Sequence, residues 1–371
     1  MEKYSEKELL RIAKRINNNK RSYLLVNPTQ AKHVPVSPTK ALDMMSALGH
    51  KVKRFYPDSN LVIGFAETAT AIGGVVAHSL SENCNYIHTT RENVDNVENY
   101  IFFSEEHSHA TEQKLDADNL TQLFDQTSTI ILVDDEYSTG KTLINIISQL
   151  KQRFPQIKNK KIVAASIINR LSNENMQYMS DNQVDMVWLL KIDNSKYVDA
   201  ANEINPDFPA TVTDTDMSPT TAFQKHTFPD ARVGVDVALI YDDCVDFSKE
   251  ILSKYDLKNK NVLFLGTEEC MLPSLLIGRE IEQKANPSSV RCHSTTRSPI
   301  GVYNKQNYPI KSGFQINSFY ESKRKTFIYN TNKYDFVFIV TDAKNRNQQA
   351  LIDLKTIFAQ KGCENFVLIG G

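Results

Sequence analysis

Short runs of apolar, largely β-branched residues recur along the chain at 23–26, 61–65, 86–89, 130–133, 161–168 and 186–190, and again at 262–265, 336–340 and 366–369. Most end in Gly, Asp or Thr and give way to stretches with a helical period. Continuous apolar runs predict strands buried on both faces, and their alternation with helices predicts a parallel sheet covered on either side. The expected fold class is α/β. At the N-terminus Leu9, Leu10, Ile12, Ala13 and Ile16 are spaced among charges, which reads as an amphipathic helix and not as a signal peptide. No apolar run approaches the roughly 18 residues of a membrane span.

Between 205 and 230 the pattern lapses into a stretch with four prolines and many Thr and Asp, which reads as a linker or crossing loop. The expected division is a first domain over 1–205, a linker over 206–230 and a companion α/β domain over 231–371. An internal repeat supports it. A strand ending at Gly64, followed by Glu67, Thr89-Thr90-Arg91 and Val133-Asp134-Asp135, is echoed by Gly266, Glu268, Thr295-Thr296-Arg297 and Val340-Thr341-Asp342. Arg91 to Asp135 and Arg297 to Asp342 span nearly the same length of chain. Two copies of one α/β unit are expected, the second degenerate.

Charge and cysteine content narrow the function. The 371 residues carry 43 Lys and Arg against 44 Asp and Glu, a net charge of −1, which removes the whole-protein case for nucleic acid or an anionic membrane. Any anionic ligand must be met by a local site. Five scattered cysteines with no C-x-x-C pair argue against a disulfide framework or a zinc cage, and a cytoplasmic location is expected.

Residues 130–142, IILVDDEYSTGKT, carry the chemistry. A buried strand delivers two adjacent carboxylates, Asp134 and Asp135, and a small polar loop then opens a helix. Backbone N–H groups at such a helix start suit a phosphate, and the paired acids can accept hydrogen bonds from two vicinal hydroxyls. Ribose 5-phosphate meets both requirements. A nucleotide-triphosphatase loop would need glycine where Asp135 stands, so that reading fails. Upstream, Gly64-Phe65-Ala66-Glu67-Thr68 follows a strand with small residues that let an anion approach the backbone.

The run 130–142 resembles the phosphoribosyl-pyrophosphate signature of type I phosphoribosyltransferases. With NPTQAKHVPVSP, GFAETATAIGG, IHTTRE and the later GTEEC and HSTTRSPIGVY, the chain looks like the two-part phosphoribosyltransferases encoded in bacterial tellurite-resistance gene clusters. The resemblance implies a parallel-sheet type I phosphoribosyltransferase fold followed by a degenerate phosphoribosyltransferase-like α/β domain. It implies that Asp134 and Asp135 hold the ribose hydroxyls and Mg²⁺. Ser138, Thr139, Gly140, Lys141 and Thr142 would cradle the 5-phosphate, with Ala66, Glu67, Thr68 and Arg91 at the pyrophosphate. It further implies a closing loop with His107 and His109, and an N-terminal hood with Lys32 and His33 for the acceptor. The expected reaction is Mg²⁺-dependent transfer of a 5-phosphoribosyl group to a nitrogenous acceptor with loss of pyrophosphate. A non-catalytic donor-binding regulator and a donor-making synthetase are the alternatives. Small-molecule substrates are the expected partners, without nucleic acid or membrane, and a homodimer is compatible with the resemblance. In the second half Cys270 reads as a buried structural thiol, and Arg232 with Gly234 is expected to face the space between the domains.

Overall fold

The computed structural model describes residues 4–16, 23–103, 113–193, 197, 201, 203–213, 221–344 and 346–371. In chain order these form α1 (Glu6–Leu9), β1 (Arg11–Lys14), β2 (Tyr23–Val26), α2 (Pro38–Phe55), β3 (Leu61–Gly64), α3 (Thr70–Leu80), β4 (Asn85–His88), β5 (Tyr100–Phe103), β6 (Gln113–Asp116), α4 (Leu120–Asp125), β7 (Thr129–Tyr137), α5 (Lys141–Arg153), β8 (Lys161–Asn169), α6 (Asn173–Asp181) and β9 (Val184–Lys191). The second half adds β10 (Ala210–Thr211), β11 (Thr221–Gln224), β12 (Val235–Asp236), α7 (Val237–Lys254), β13 (Asn261–Gly266), α8 (Leu272–Lys284), β14 (Ser289–Ser294), β15 (Gly313–Asn317), β16 (Lys325–Tyr329), β17 (Phe336–Val340), α9 (Gln348–Gln360) and β18 (Asn365–Ile369). The fold is α/β with parallel sheets.

Two compact units result. The first is built chiefly from Met45–Asp193 and Pro229–Tyr241. Its sheet runs β12-β4-β3-β7-β8-β9, parallel except for β12. Its core gathers Leu61, Ile63, Ile130 and Leu132 from the strands and Leu143, Ile147 and Leu150 from α5. The second unit takes Ser5–Met44, Asn194–Phe228 and Asp242–Gly371, and its sheet runs β11-β18-β17-β13-β14, parallel throughout. Leu263, Leu265, Val337, Ile339, Ile357 and Phe366 are among its core residues. Burial on both faces explains why β3, β7, β8, β13, β17 and β18 read as continuous apolar runs.

The repeat is present in the hydrogen bonding. The order β4-β3-β7-β8 recurs as β14-β13-β17-β18, and an antiparallel hairpin, β5-β6 or β15-β16, stands between the second and third strands of each copy in sequence. Thr89 N donates to Gly64 O at 2.9 Å, and Thr295 N to Gly266 O at 3.0 Å. Thr90 exchanges two backbone bonds with Lys114, as Thr296 does with Phe327.

Three expectations are corrected. The N-terminal helix extends only over Glu6–Leu9, and the chain then becomes β1, antiparallel to β2. Pairing with β2 satisfies the backbone of Arg11–Lys14 while Ala13 enters an apolar cluster with Val26 and Tyr329, so tertiary packing overrides the helical spacing. The 206–230 stretch is more than a linker, because Thr221–Gln224 pairs in parallel with β18 as an edge strand. The units are also discontinuous in sequence, with residues 5–44 in the second and 229–241 in the first.

Candidate active site

Strand β7 runs past its apolar run to carry Asp134, Asp135 and Glu136 before ending at Tyr137. Tyr137 is buried and its hydroxyl donates to Leu132 O at 3.1 Å, which ties the strand end back to the core. Glu136 is held by Arg170, the residue after β8, whose Nη1 lies 3.0 and 3.1 Å from its two carboxylate oxygens. Asp134 Oδ1 accepts from the Asp135 amide at 2.8 Å. Desolvation, and then the neighbouring charge of Asp135, raise the Asp134 carboxyl well above the usual carboxylate range. Such a group is poised to meet a cation or a pair of hydroxyl donors.

Only Ser138, Thr139 and Gly140 separate β7 from α5. Gly140 takes φ +76°, and its carbonyl accepts from Ile144 N at 2.9 Å to start the helix. Thr139 and Lys141 are exposed, so the turn and the helix start face solvent. This is the local geometry that receives an anion at a helix N-terminus. Gly140→Ala is expected to lose about 2 kcal/mol or more, because a left-handed L-residue is strained and the new Cβ would stand 2.6 Å from Met179 Sδ. Urea denaturation measures the loss, and an unchanged midpoint would refute it.

The second element is the turn after β3. Phe65 N donates to Val133 O at 2.9 Å and Ala66 N to Thr89 Oγ1 at 2.8 Å, so the turn is fastened both to β7 and to the end of β4. The Ala66–Glu67 peptide is cis, Glu67 is buried and Thr68 partly exposed. Gly64 and Gly73 let α3 approach the strand closely, and a Cβ on Gly73 would meet the Tyr86 ring at 2.8 Å. Arg91 follows Thr90 and is partly exposed. The three turns after β3, β4 and β7 therefore converge at the C-terminal ends of adjacent parallel strands, where open α/β sheets bind ligands.

Lys32 and His33 are placed otherwise than expected. Both belong to the second unit, where Lys32 is buried and its Nζ donates to Glu268 O at 2.7 Å and Thr295 O at 3.0 Å. Its ammonium is satisfied by backbone carbonyls, which makes Lys32 a structural cation of the second unit. His107 and His109 lie outside the described residues. Sequence reading missed Gln113, whose Oε1 accepts from Thr89 Oγ1 at 2.6 Å, and the Glu136–Arg170 pair. The acid-then-aromatic sequence Glu136-Tyr137 and the basic residue that follows β8 were the only signals for the latter.

Residues 9–195 match a family model described as phosphoribosyl transferase. The chain belongs to that family. Residues 231–357 match a second model, the TRSP domain found C-terminal to this phosphoribosyltransferase, so the enzyme has two parts. Among similar solved structures, the adenine phosphoribosyltransferase of Rhodothermus marinus is 12% identical, with 50% of this chain and 96% of that chain covered and a TM-score of 0.34. The orotate phosphoribosyltransferase of Aeropyrum pernix is 12% identical over 54% and 96%, with a TM-score of 0.33. The Trypanosoma brucei adenine phosphoribosyltransferase, in complex with AMP, pyrophosphate and ribose-5-phosphate, is 12% identical over 50% and 77%, with a TM-score of 0.35. No curated protein matches.

In this phosphoribosyltransferase the second unit keeps the framework of the three turns and changes their contents. Glu268 occupies the position of Ala66, its amide likewise donating to a threonine hydroxyl, Thr295 Oγ1, at 3.0 Å. Its fully buried carboxylate lies 2.9 Å from Arg297 Nε and 3.1 Å from Arg324 Nη2, and accepts from Ser318 Oγ at 2.5 Å. The turn after β17 holds Asp342, which accepts from Tyr320 Oη at 2.5 Å, and has no Thr/Gly loop. Cys270 is buried, as are the other four cysteines, all free thiols. No helix among the described residues is long and apolar enough to cross a membrane.

Proposed function

We propose that the first unit transfers a 5-phosphoribosyl group from phosphoribosyl pyrophosphate to a nitrogenous, base-like acceptor, releasing pyrophosphate and forming a nucleotide-like product. The observation that carries this reading is the turn from β7 to α5, where Asp134 and Asp135 precede a left-handed Gly140 and an open helix start. In it the acid pair receives the ribose 2- and 3-hydroxyls. The backbone and hydroxyls of residues 138–142 receive the 5-phosphate. Ala66, Glu67, Thr68 and Arg91 receive the pyrophosphate.

Two adjacent hard carboxylates suit Mg²⁺, and the raised proton affinity of Asp134 marks a group that a cation would relieve. Among the described residues no group of three or more His, Cys, Asp and Glu could cage a metal, so the ion would be held by Asp134 and Asp135 together with donor oxygens and water. When bound, Mg²⁺ neutralises charge on the pyrophosphate leaving group. The chain's own contribution is placement of charge. The guanidinium of Arg91 and the amides of the turn after β3 favour the departing diphosphate, while the acid pair fixes the ring and lies beside the positive charge that develops at C1.

Incubation with phosphoribosyl pyrophosphate, Mg²⁺ and a panel of purine, pyrimidine and pyridine bases tests the reading. Acceptor-dependent release of pyrophosphate is the expected result. Donor binding without turnover would replace it with a regulator, and AMP formed from ATP and ribose 5-phosphate would replace it with a synthetase.

A further inference from the structure

Residues 229–241 open the later half of the chain, yet they pack in the first unit on the outer edge of β4. Residues 32–36 open the earlier half and pack in the second unit against β14. The two arrangements share two contacts at matching positions. Ala231 O accepts from His88 N at 3.1 Å, and Lys32 O from Ser294 N at 3.2 Å. Val235 pairs antiparallel with Tyr86, and Val36 with Cys292. Each segment then leads into a helix of 18 residues, α7 or α2. The repeats have thus exchanged their leading segments.

In the first unit the exchanged segment carries a buried cation to the end of β4. Arg232 is 5% exposed. Its Nε donates to Thr90 Oγ1 at 3.3 Å, and its Nη1 and backbone N donate to Asp230 Oδ1 at 3.2 and 3.0 Å. Thr90 Oγ1 also accepts from Glu92 N at 2.9 Å, so one hydroxyl ties together the residues on either side of Arg91. The Thr90 backbone is already fixed by its two bonds to Lys114. Through the Thr90 hydroxyl, Arg232 thus reaches the strand end from which Arg91 leaves.

We propose that Arg232 is a positioning residue for phosphoribosyl transfer, contributed to the transferase unit by the second half of the chain, and that it acts by holding Thr90 and hence Arg91. This rests on the function proposed above. The requirement is for a guanidinium, since Nε and Nη1 donate in two directions at once and a lysine ammonium cannot reproduce that fork.

The test uses the full-length chain with Arg232→Ala and Arg232→Lys, read by donor kinetics and by amide hydrogen exchange at Thr90 and Glu92. Loss of a charge-assisted bond is expected to raise the KM for phosphoribosyl pyrophosphate about ten-fold, with a smaller change in kcat. Exchange at Glu92 should quicken in both variants, and added guanidinium should restore part of the KM in the alanine protein only. An unchanged KM, even with a lowered melting temperature, would leave Arg232 a purely structural residue and overturn the proposal. Should the wild-type chain turn over no base, the proposed function fails, and unchanged exchange at Glu92 would then be what overturns the role of Arg232.

Discussion

Replacing Asp134 and Asp135 together by asparagine is expected to lower turnover by at least about a hundred-fold while leaving the fold intact, since the pair carries the charge on which the proposed transfer depends. The single change Asp134→Asn should cost activity and gain stability. The Asp134 carboxyl is raised well above its ordinary value of 3.8 in the folded chain, chiefly by desolvation and then by Asp135. A folded state that binds the proton more tightly than the unfolded chain is favoured by that proton. The contribution is fully present below the ordinary value and is lost as pH rises through the raised one. Asparagine does not ionise and escapes the loss. At pH 8 the variant should melt higher by a few degrees, corresponding to about 1 kcal/mol, and the gap should close towards pH 4. Scanning calorimetry at the two pH values checks this. A variant that melts lower at pH 8, or retains wild-type turnover, would remove Asp134 from the site.

How much of this was legible in the chain depended on how local the cause was. Parallel strands are buried on both faces by the helices that alternate with them along the chain, so residues 130–133, 262–265 and 336–340 announce themselves without reference to distant partners. The turn from Asp134 to Lys141 is equally local, being a strand end, a left-handed glycine and a helix start within a few residues. The destinations of residues 32–36 and 231–236 are not local. Their edges of β14 and β4 are reached across the whole of a repeat, and nothing in Lys32-His33 or Ala231-Arg232 says which sheet will accept them. Sequence adjacency assigned Lys32 and His33 to the wrong unit for that reason. The N-terminal hairpin failed differently: Leu9, Ile12, Ala13 and Ile16 fit a helix taken alone, but the ladder that β2 offers draws Arg11–Lys14 into a strand.

Glu268 separates the two halves chemically. Glu268→Ala is expected to cost about 3 kcal/mol, a fall in melting temperature of several degrees, because it removes the buried carboxylate that two largely buried cations share and leaves Arg297 to Glu269 at 3.6 Å and Arg324 to Glu321 at 3.2 Å. Arg297 and Arg324 are only 12% and 14% exposed and both lean on the same carboxylate, which is itself 0% exposed. Removing the two arginines as well, in a triple replacement by methionine, should recover much of the loss, since an apolar trio of similar volume pays no desolvation of charge. A triple variant no more stable than Glu268→Ala would show that the cost is lost packing instead. The same carboxylate bears on what the second unit can bind. Where the first unit has Ala66, whose amide donates to Thr89, the second presents a carboxylate already paired with Arg297, so a diphosphate would have to displace it. Titration of the intact chain with phosphoribosyl pyrophosphate and Mg²⁺ should therefore saturate at one donor per chain. The Glu268→Ala protein, assayed well below its melting temperature, should retain wild-type kcat. Saturation at two donors, or a kcat that falls with Glu268, would place a working donor site in the second unit.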